Sequence, residues 1–350
     1  MSKKDESTLK REILEQPDVL RRLLQNERAN VEQVCEAVRA RRPRYVMIAA
    51  RGTSDNAARY GQYLFGAFNG LPVALATPSL FTQYENPPVV SDALVVGISQ
   101  SGETPDIVRV LSEAREQGAP TLTITNTLGS PLAEAAEHVI HLNAGQEVSV
   151  GATKTYTASL MALAMLSSAL AEDEQRFEML TQVPDYVAEV TASAPSIITS
   201  SERYRYMEAC VVISRGYNYA TAYEIALKLK ELTYVLAEPY SSADFQHGPV
   251  ALIESGFPVI AAVPEGVVAD ELVELLRQLR ERGAELVVFS ALSEALSLAH
   301  NRFALPAGIP EWVSPMVTVV PGQLMAFGLA LAKGLDPDKP RDLSKVTRTH

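Results

Sequence analysis

Cysteine occurs only twice in 350 residues, as Cys35 and Cys210. Both sit in apolar stretches, which excludes a disulfide framework and a cysteine-based metal cluster. Positive charge is also short: 31 Lys and Arg against 42 Asp and Glu give a formal net charge of −11. A nucleic-acid binder normally carries a basic excess, so no nucleic-acid partner is expected. An anionic ligand must then be attracted by local groups against the field of the whole protein. No window approaches 18 uninterrupted apolar residues, and Ser2-Lys3-Lys4-Asp5-Glu6 is polar with no apolar run behind it. No membrane partner is therefore expected, and the reading is a soluble cytoplasmic protein.

The chain is rich in core-forming residues: 47% are hydrophobic and 21% charged. At this length the prior is about two globular domains. The stretch that organises it runs from Ala93 to Thr104. Ala93 to Ile98 is an apolar run, which reads as a buried strand of a parallel sheet. From Pro105 the spacing turns helical, with Ile107, Val110, Leu111 and Ala114 on one face. Between them lie Ser99, Gln100, Ser101, Gly102, Glu103 and Thr104. Strand, small polar turn and helix is the arrangement in which backbone N–H groups meet an anion. The stretch matches neither G-x-x-x-x-G-K-[ST] nor G-x-G-x-x-G, and it lacks a lysine. Hydroxyls without a lysine suit a small phosphate monoester better than a nucleoside triphosphate. The same residues would also serve as an ordinary helix cap with polar neighbours.

Residues 1–42 read as an N-terminal helical segment, with Pro17 marking a helix start. Residues 43–171 alternate strand and helix with short turns, which predicts a doubly wound α/β domain. Its strands fall at 45–50, 73–76, 93–99, 121–125 and 138–142, and its last helix at 153–170. Residues 172–206 are polar and helical and read as a connection. Residues 207–334 restart the pattern, and 335–350 form a polar tail. Arg215-Gly216 repeats Arg51-Gly52 at 215 − 51 = 164. Val263 repeats Ser99 at 263 − 99 = 164, and Gly283 repeats Gly118 at 283 − 118 = 165. Features at nearly one offset predict two tandem copies of one α/β unit. The second copy carries Val263-Pro264-Glu265-Gly266 where the first carries the hydroxyl-rich turn.

The second copy has its own candidate chemistry. Tyr223 to Leu236 reads as a helix that aligns Glu224, Lys228 and Glu231 at i, i+4 and i, i+7. Such charges commonly form a solvated face. With His247 in the loop Tyr240–Pro249 they also suit an acid–base set. A loop histidine is equally at home as an exposed or structural residue. A helix from Gly322 to Lys333 stops at Gly334. The tail beyond it reads either as a frayed end or as a segment laid over a site, with Lys345 as its chemical group.

Taken together, these segments resemble the isomerase half of the glutamine–fructose-6-phosphate amidotransferases, which consists of two sugar-isomerase (SIS) domains. The resemblance rests on Glu12-Ile13-Leu14-Glu15-Gln16-Pro17, Gly52-Thr53-Ser54, Ser99 to Thr104, Val150 to Lys154, Ala226 to Glu231, His247-Gly248-Pro249 and Pro340 to Lys345. It implies that Thr53, Ser54, Ser99, Gln100, Ser101 and Thr104 hold a sugar phosphate, and that Val150 and Ala152 contribute backbone. It implies that His247 opens the sugar ring, in cis or from the neighbouring subunit of a homodimer. Glu231 would move a proton between C1 and C2, Lys228 would support the developing enol(amine) beside Glu224, and Lys345 would close over the open-chain sugar. The resemblance calls for no cofactor and no metal.

Three departures mark the chain. Nothing resembling the family's glutaminase half, with its N-terminal nucleophilic cysteine, precedes the match, and position 2 is Ser2. Arg51 replaces a smaller residue. The end reads Val346-Thr347-Arg348-Thr349-His350 rather than an acidic ending. The expectation is therefore a SIS-type glucosamine-6-phosphate deaminase without glutaminase activity. The alternatives are a fructosamine-6-phosphate deglycase, another amino-sugar-phosphate isomerase or an ammonia-dependent synthase. A non-catalytic sugar-phosphate-binding regulator is a further alternative, although it would normally carry a DNA-binding segment.

Overall fold

The apolar runs of the sequence fold into two five-stranded, fully parallel sheets with helices around them, seen in a computed structural model that describes residues 7–345. The candidate departures at Ser2 and at Val346 to His350 lie outside the described residues. The first sheet contains β1 (Tyr45–Ala49), β2 (Val73–Leu75), β3 (Ala93–Ser99), β4 (Thr121–Thr125) and β5 (His138–His141). Its order is β2-β1-β3-β4-β5. The second contains β6 (Ala209–Ser214), β7 (Leu236–Ser241), β8 (Pro258–Val263), β9 (Glu285–Ser290) and β10 (Asn301–Ala304). Its order is β10-β9-β8-β6-β7. Read from the other edge this is the same topology, so the duplication predicted from spacing extends to strand order. The register of starts agrees: 209 − 45 = 164 for β6 and β1, and 285 − 121 = 164 for β9 and β4.

Every residue of β3, β4, β8 and β9 is buried. Central strands of a parallel sheet are covered by helices on both faces, which explains the near-continuous apolar runs of β3 and β8 and the burial of Thr121, Thr123 and Thr125 in β4. On one face of the first sheet, Met47 and Val95 pack with Ile107, Val110 and Leu111 of the helix Pro105–Glu116. On the second, Val211, Ile213 and Val259 pack with Leu272, Leu275 and Leu276 of the helix Ala269–Glu281.

The strand order turns around between β1 and β3, and again between β6 and β8. The crevice outside the carboxyl ends of such a neighbouring pair is where doubly wound sheets hold ligands. The loops Arg51–Ser54 and Gln100–Thr104 both leave the sheet at the first of these points.

By contact the chain divides into two compact units. One holds the first sheet and comprises Gln16–Glu147, Lys154–Pro184 and, of the described end, residues 344–345. The other holds the second sheet and comprises residues 7–15, Val148–Thr153 and Asp185–Leu343. The six residues Val148–Thr153 therefore belong with the unit of the second sheet, although they lie in sequence between β5 and the helix Lys154–Leu170.

Several sequence expectations shift. The helix expected at 223–236 runs over Tyr219–Thr233, and Tyr234 ends it in a left-handed conformation with φ 58°. The chain then forms β7, which sequence reasoning passed over because Pro239 interrupts it. An edge strand tolerates that proline, since one side needs no backbone donor. The helix expected at 322–333 is longer, Ser314–Ala332, with Pro321 inside it. By length and average composition this helix could cross a membrane, but 89% of its apolar window is buried inside the protein. It is a core helix. Gly322 brings it against the helix Tyr219–Thr233: a Cβ there would lie 2.4 Å from Ile225 Cγ1. The beginning of the tail is anchored rather than frayed. Asp338 accepts hydrogen bonds from the Ser7 hydroxyl and from the amides of Thr8 and Leu9, at 2.8–3.2 Å, and so holds the start of the helix Thr8–Leu14. The Arg341 guanidinium stacks over the Tyr234 ring at 4.0 Å.

Both cysteines are buried and free. Burial pushes each thiol up to about 12. The thiolate is the reactive form, so at pH 8 neither should react in the folded protein. A disulfide-exchange reagent should label no cysteine in the native chain and two per chain once it is unfolded in guanidinium. Rapid native labelling would contradict the burial described here.

Candidate functional site

At the first crevice the sequence places its hydroxyls where the backbone can use them. The Gly102 amide donates to Ser99 Oγ at 3.1 Å and the Glu103 amide to Ser101 Oγ at 3.3 Å. Ser99 and Thr104 hydroxyls face each other at 3.5 Å. Gly102 has φ +67°, and a Cβ there would lie 2.0 Å from Ser130 Oγ, so only glycine fits. The turn is fastened to the end of β4, because the Asn126 amide donates to the Gln100 carbonyl and the Leu132 amide to the Gly102 carbonyl. Thr104 is the N-cap of the helix Pro105–Glu116, yet its side chain makes no capping bond. The first turn of that helix is thus open to an anion. Thr53 and Ser54 begin the helix Thr53–Asn69, which follows the adjacent strand β1.

Arg51 ties the two loops together. Its Nε and Nη2 reach Asp106 Oδ2 at 2.8 and 2.5 Å. Asp106 is 2% exposed and its Oδ1 has no hydrogen-bond partner. The sequence marked Arg51 only as a departure. The structure makes it the bridge between the β1 loop and the helix after β3, its charge matched by that of Asp106.

The second-sheet unit holds the charged helix. Glu224 and Lys228 have no exposed surface, and the Glu231 side chain is 23% exposed. Lys228 Nζ lies 2.5 Å from Glu231 Oε2 and 3.4 Å from Glu224 Oε1. This is not the solvated face that the charge pattern also allowed. The segment Val148–Thr153 lies against the pair. A Cβ built on Gly151 would sit 3.7 Å from Glu231 Oε2 and 3.8 Å from Lys228 Nζ. Val150 and Ala152 flank that glycine, so the structure brings together Val150, Ala152, Glu224, Lys228 and Glu231. A lysine beside a partly open carboxylate can move a proton at a carbon and support the charge that develops.

Two carboxylates that sequence reasoning missed hold the neighbouring chain in place. Glu12, 1% exposed, accepts from the Val148 amide at 2.5 Å and the Ser149 amide at 3.2 Å. It lies in the hexapeptide that carried the resemblance, but nothing in its spacing pointed 136 residues ahead. In the first-sheet unit, the buried Glu147 accepts from the Thr155 amide at 3.1 Å and its hydroxyl at 2.8 Å. The same carboxylate meets Lys345 Nζ at 2.7 Å. Lys345 is therefore ion-paired rather than loose. His247 caps the short helix Ser242–Gln246 and is exposed, with no side-chain hydrogen bond among the described residues. No hydrogen bond or ion pair joins its side chain to Lys228 or Glu231 among the described residues.

Comparison with known proteins gives two matches to one family: residues 41–169 and 208–333 both match the SIS domain. The glutamine–fructose-6-phosphate aminotransferase (isomerizing) of Methanothermobacter thermautotrophicus is 36% identical over 317 residues, covering 90% of this chain and 52% of that protein. The protein of the same name from Thermus thermophilus is 35% identical over 349 residues, covering 96% of this chain and 58% of that protein. The chain thus spans about half the length of the curated relatives it matches. A solved structure, the C-terminal domain of glucosamine-fructose-6-phosphate aminotransferase from Francisella tularensis, superposes with a TM-score of 0.87 at 29% identity. That alignment covers 97% of this chain and all of that one.

A hydrogen bond to a charged group is worth about 1.5–3 kcal/mol, roughly ten- to a hundredfold in affinity. Ser101→Ala and Thr104→Ala should each weaken hexose-phosphate binding by that order in calorimetric titration. Unchanged Kd in both variants would remove this loop from the site.

Proposed function

The chain belongs to the SIS-domain family and is homologous to the isomerase half of glutamine–fructose-6-phosphate aminotransferase, and on that premise we propose that it is a phosphosugar isomerase that works as a glucosamine-6-phosphate deaminase. Glucosamine 6-phosphate and water become fructose 6-phosphate and ammonia. The observation that carries this reading is the pair of buried Lys228 and partly exposed Glu231 beside Gly151.

The chemistry assigns one task to each group. The phosphate is held by Ser99, Gln100, Ser101 and Thr104, with Thr53 and Ser54. His247 opens the ring, from the same chain or from a second copy in a homodimer, and its exposure is compatible with either. Glu231 removes the C2 proton of the open-chain sugar, leaving an enolamine. Lys228 supports the charge on it. Protonation at C1 gives the C2 imine, and water hydrolyses that imine to the ketone and ammonia. Lys345 closes over the open-chain sugar and can take its carbonyl as a Schiff base. Each positioned acid or base is worth roughly 10²–10⁴ in rate. In this direction water is the sole co-reactant.

Purified protein given glucosamine 6-phosphate alone should release ammonia and fructose 6-phosphate in equal amounts, with no added glutamine. A coupled ammonia assay with a parallel ketose-phosphate assay reads both. Silence with glucosamine 6-phosphate, together with amine release from a fructosamine 6-phosphate, would overturn the deaminase assignment in favour of a deglycase. Amino-sugar formation from fructose 6-phosphate and ammonium alone, without the reverse flux, would point instead to a synthase.

A further inference from the structure

The two sheets repeat one topology, and the equivalent of the first crevice lies between β6 and β8. The repeat is close in detail. Arg51 becomes Arg215 (215 − 51 = 164), Gly52 becomes Gly216, Gly102 becomes Gly266 and Glu103 becomes Val267. Even the arginine bridge recurs: Arg215 Nη1 meets Glu271 Oε1 at 2.5 Å, and Glu271 lies at 271 − 106 = 165 from Asp106. What differs is the content of the crevice. The hydroxyls of the first are absent from the second. A carboxylate stands there, Glu311, which arrives from the chain between β10 and the helix Ser314–Ala332.

Glu311 reaches both loops of the second crevice. Its Oε2 accepts from the Val267 amide at 2.8 Å. A Cβ on Gly266 would lie 2.1 Å from the same oxygen, and a Cβ on Gly216 would lie 3.3 Å from Oε1. The carboxylate is thus in contact with the counterparts of Gly52, Gly102 and Glu103 at once. The helix that follows, Ala269–Glu281, has no side-chain cap, so its amino end favours an anion. Its first turn carries Asp270 and Glu271, and Glu271 is already held by Arg215 and the Ser242 hydroxyl. Glu265 reaches back in turn, accepting from the Gly308 amide at 2.6 Å.

We infer that the second SIS unit retains a phosphate-type anion site and that Glu311 fills it as a built-in ligand. A tethered carboxylate has an effective concentration that a free anion at ordinary levels does not match. The chain accordingly takes its phosphate ligand at the first crevice, while Glu311 competes for the second.

The test compares thermal unfolding of the full chain with and without inorganic phosphate, in wild type, Glu311→Ala and Glu311→Gln. Loss of the carboxylate should lower Tm in Glu311→Ala by about 2–4 °C, the shift expected for one lost polar contact in a domain of this size. Millimolar inorganic phosphate should then raise the Tm of Glu311→Ala by more than it raises wild type. Glu311→Gln keeps an oxygen acceptor for Val267, so it should stay near wild type and gain nothing extra from phosphate. Calorimetric titration of wild type should count one phosphate per chain, and this count stands even if Glu311→Ala fails to fold. Two phosphates per wild-type chain, an unchanged Tm in Glu311→Ala, or a loss that phosphate does not preferentially restore would each overturn the inference.

Discussion

Lys228 is a cation with no exposed surface, and the second-sheet unit is built around satisfying it. An unpaired charge in that position would cost several kcal/mol. The helix Tyr219–Thr233 meets the demand with its own sequence, placing Glu224 one turn before and Glu231 one turn after. Such a cluster holds only if the helix cannot shift, and Gly322 packed against Ile225 fixes it from behind. The backbone of Val148–Thr153 covers it, and Glu12 pins that backbone through two amides. Of the three charged groups, only Glu231 keeps appreciable exposure, so it is the carboxylate able to meet a substrate carbon. Removing Lys228 would leave two carboxylates on one face, one of them buried.

The parallel sheets show how one topology supports different chemistry. Each turns its strand order around between its first and third strands, and each joins the two loops there with an arginine–carboxylate bridge. The scaffold is thus common and the contents are local. In the first unit the crevice is lined by hydroxyls and an uncapped helix start. In the second it is occupied by Glu311. Fold alone would not have separated the two, and function follows from the side chains placed on it.

The central strands were legible in the sequence because a parallel sheet covered on both faces demands continuous apolar runs. β3 and β8 follow such runs, whereas β4 was legible from its β-branched residues, Thr121-Leu122-Thr123-Ile124-Thr125. The edge strands of the first sheet, β2 and β5, were legible at 73–76 and 138–142, but those of the second sheet were not. β7 carries Pro239 and β10 is four residues that open on Asn301-Arg302, and neither shows a period or a run. Pro321 hid the first half of the core helix, since tertiary packing overrides its local preference. The charged helix was legible as i, i+4 spacing, but its burial was not, because Gly151 and Gly322 come from distant stretches of sequence. Glu12 and Glu147 act across separations of 136 and 198 residues, which no local pattern encodes. The placement of Val148–Thr153 with the unit of the second sheet was hidden for the same reason.

The account turns on Glu231 as the group that moves the C2 proton, and solvent exchange measures that step without depending on any later one. With glucosamine 6-phosphate in deuterium oxide, proton NMR should show the C2 hydrogen signal disappearing in the presence of the wild-type chain. In Glu231→Gln the exchange should slow by roughly 10² or more, while calorimetry shows the sugar phosphate still bound with similar Kd. Exchange in Glu231→Gln at the wild-type rate, or no exchange with the wild-type chain, would contradict it.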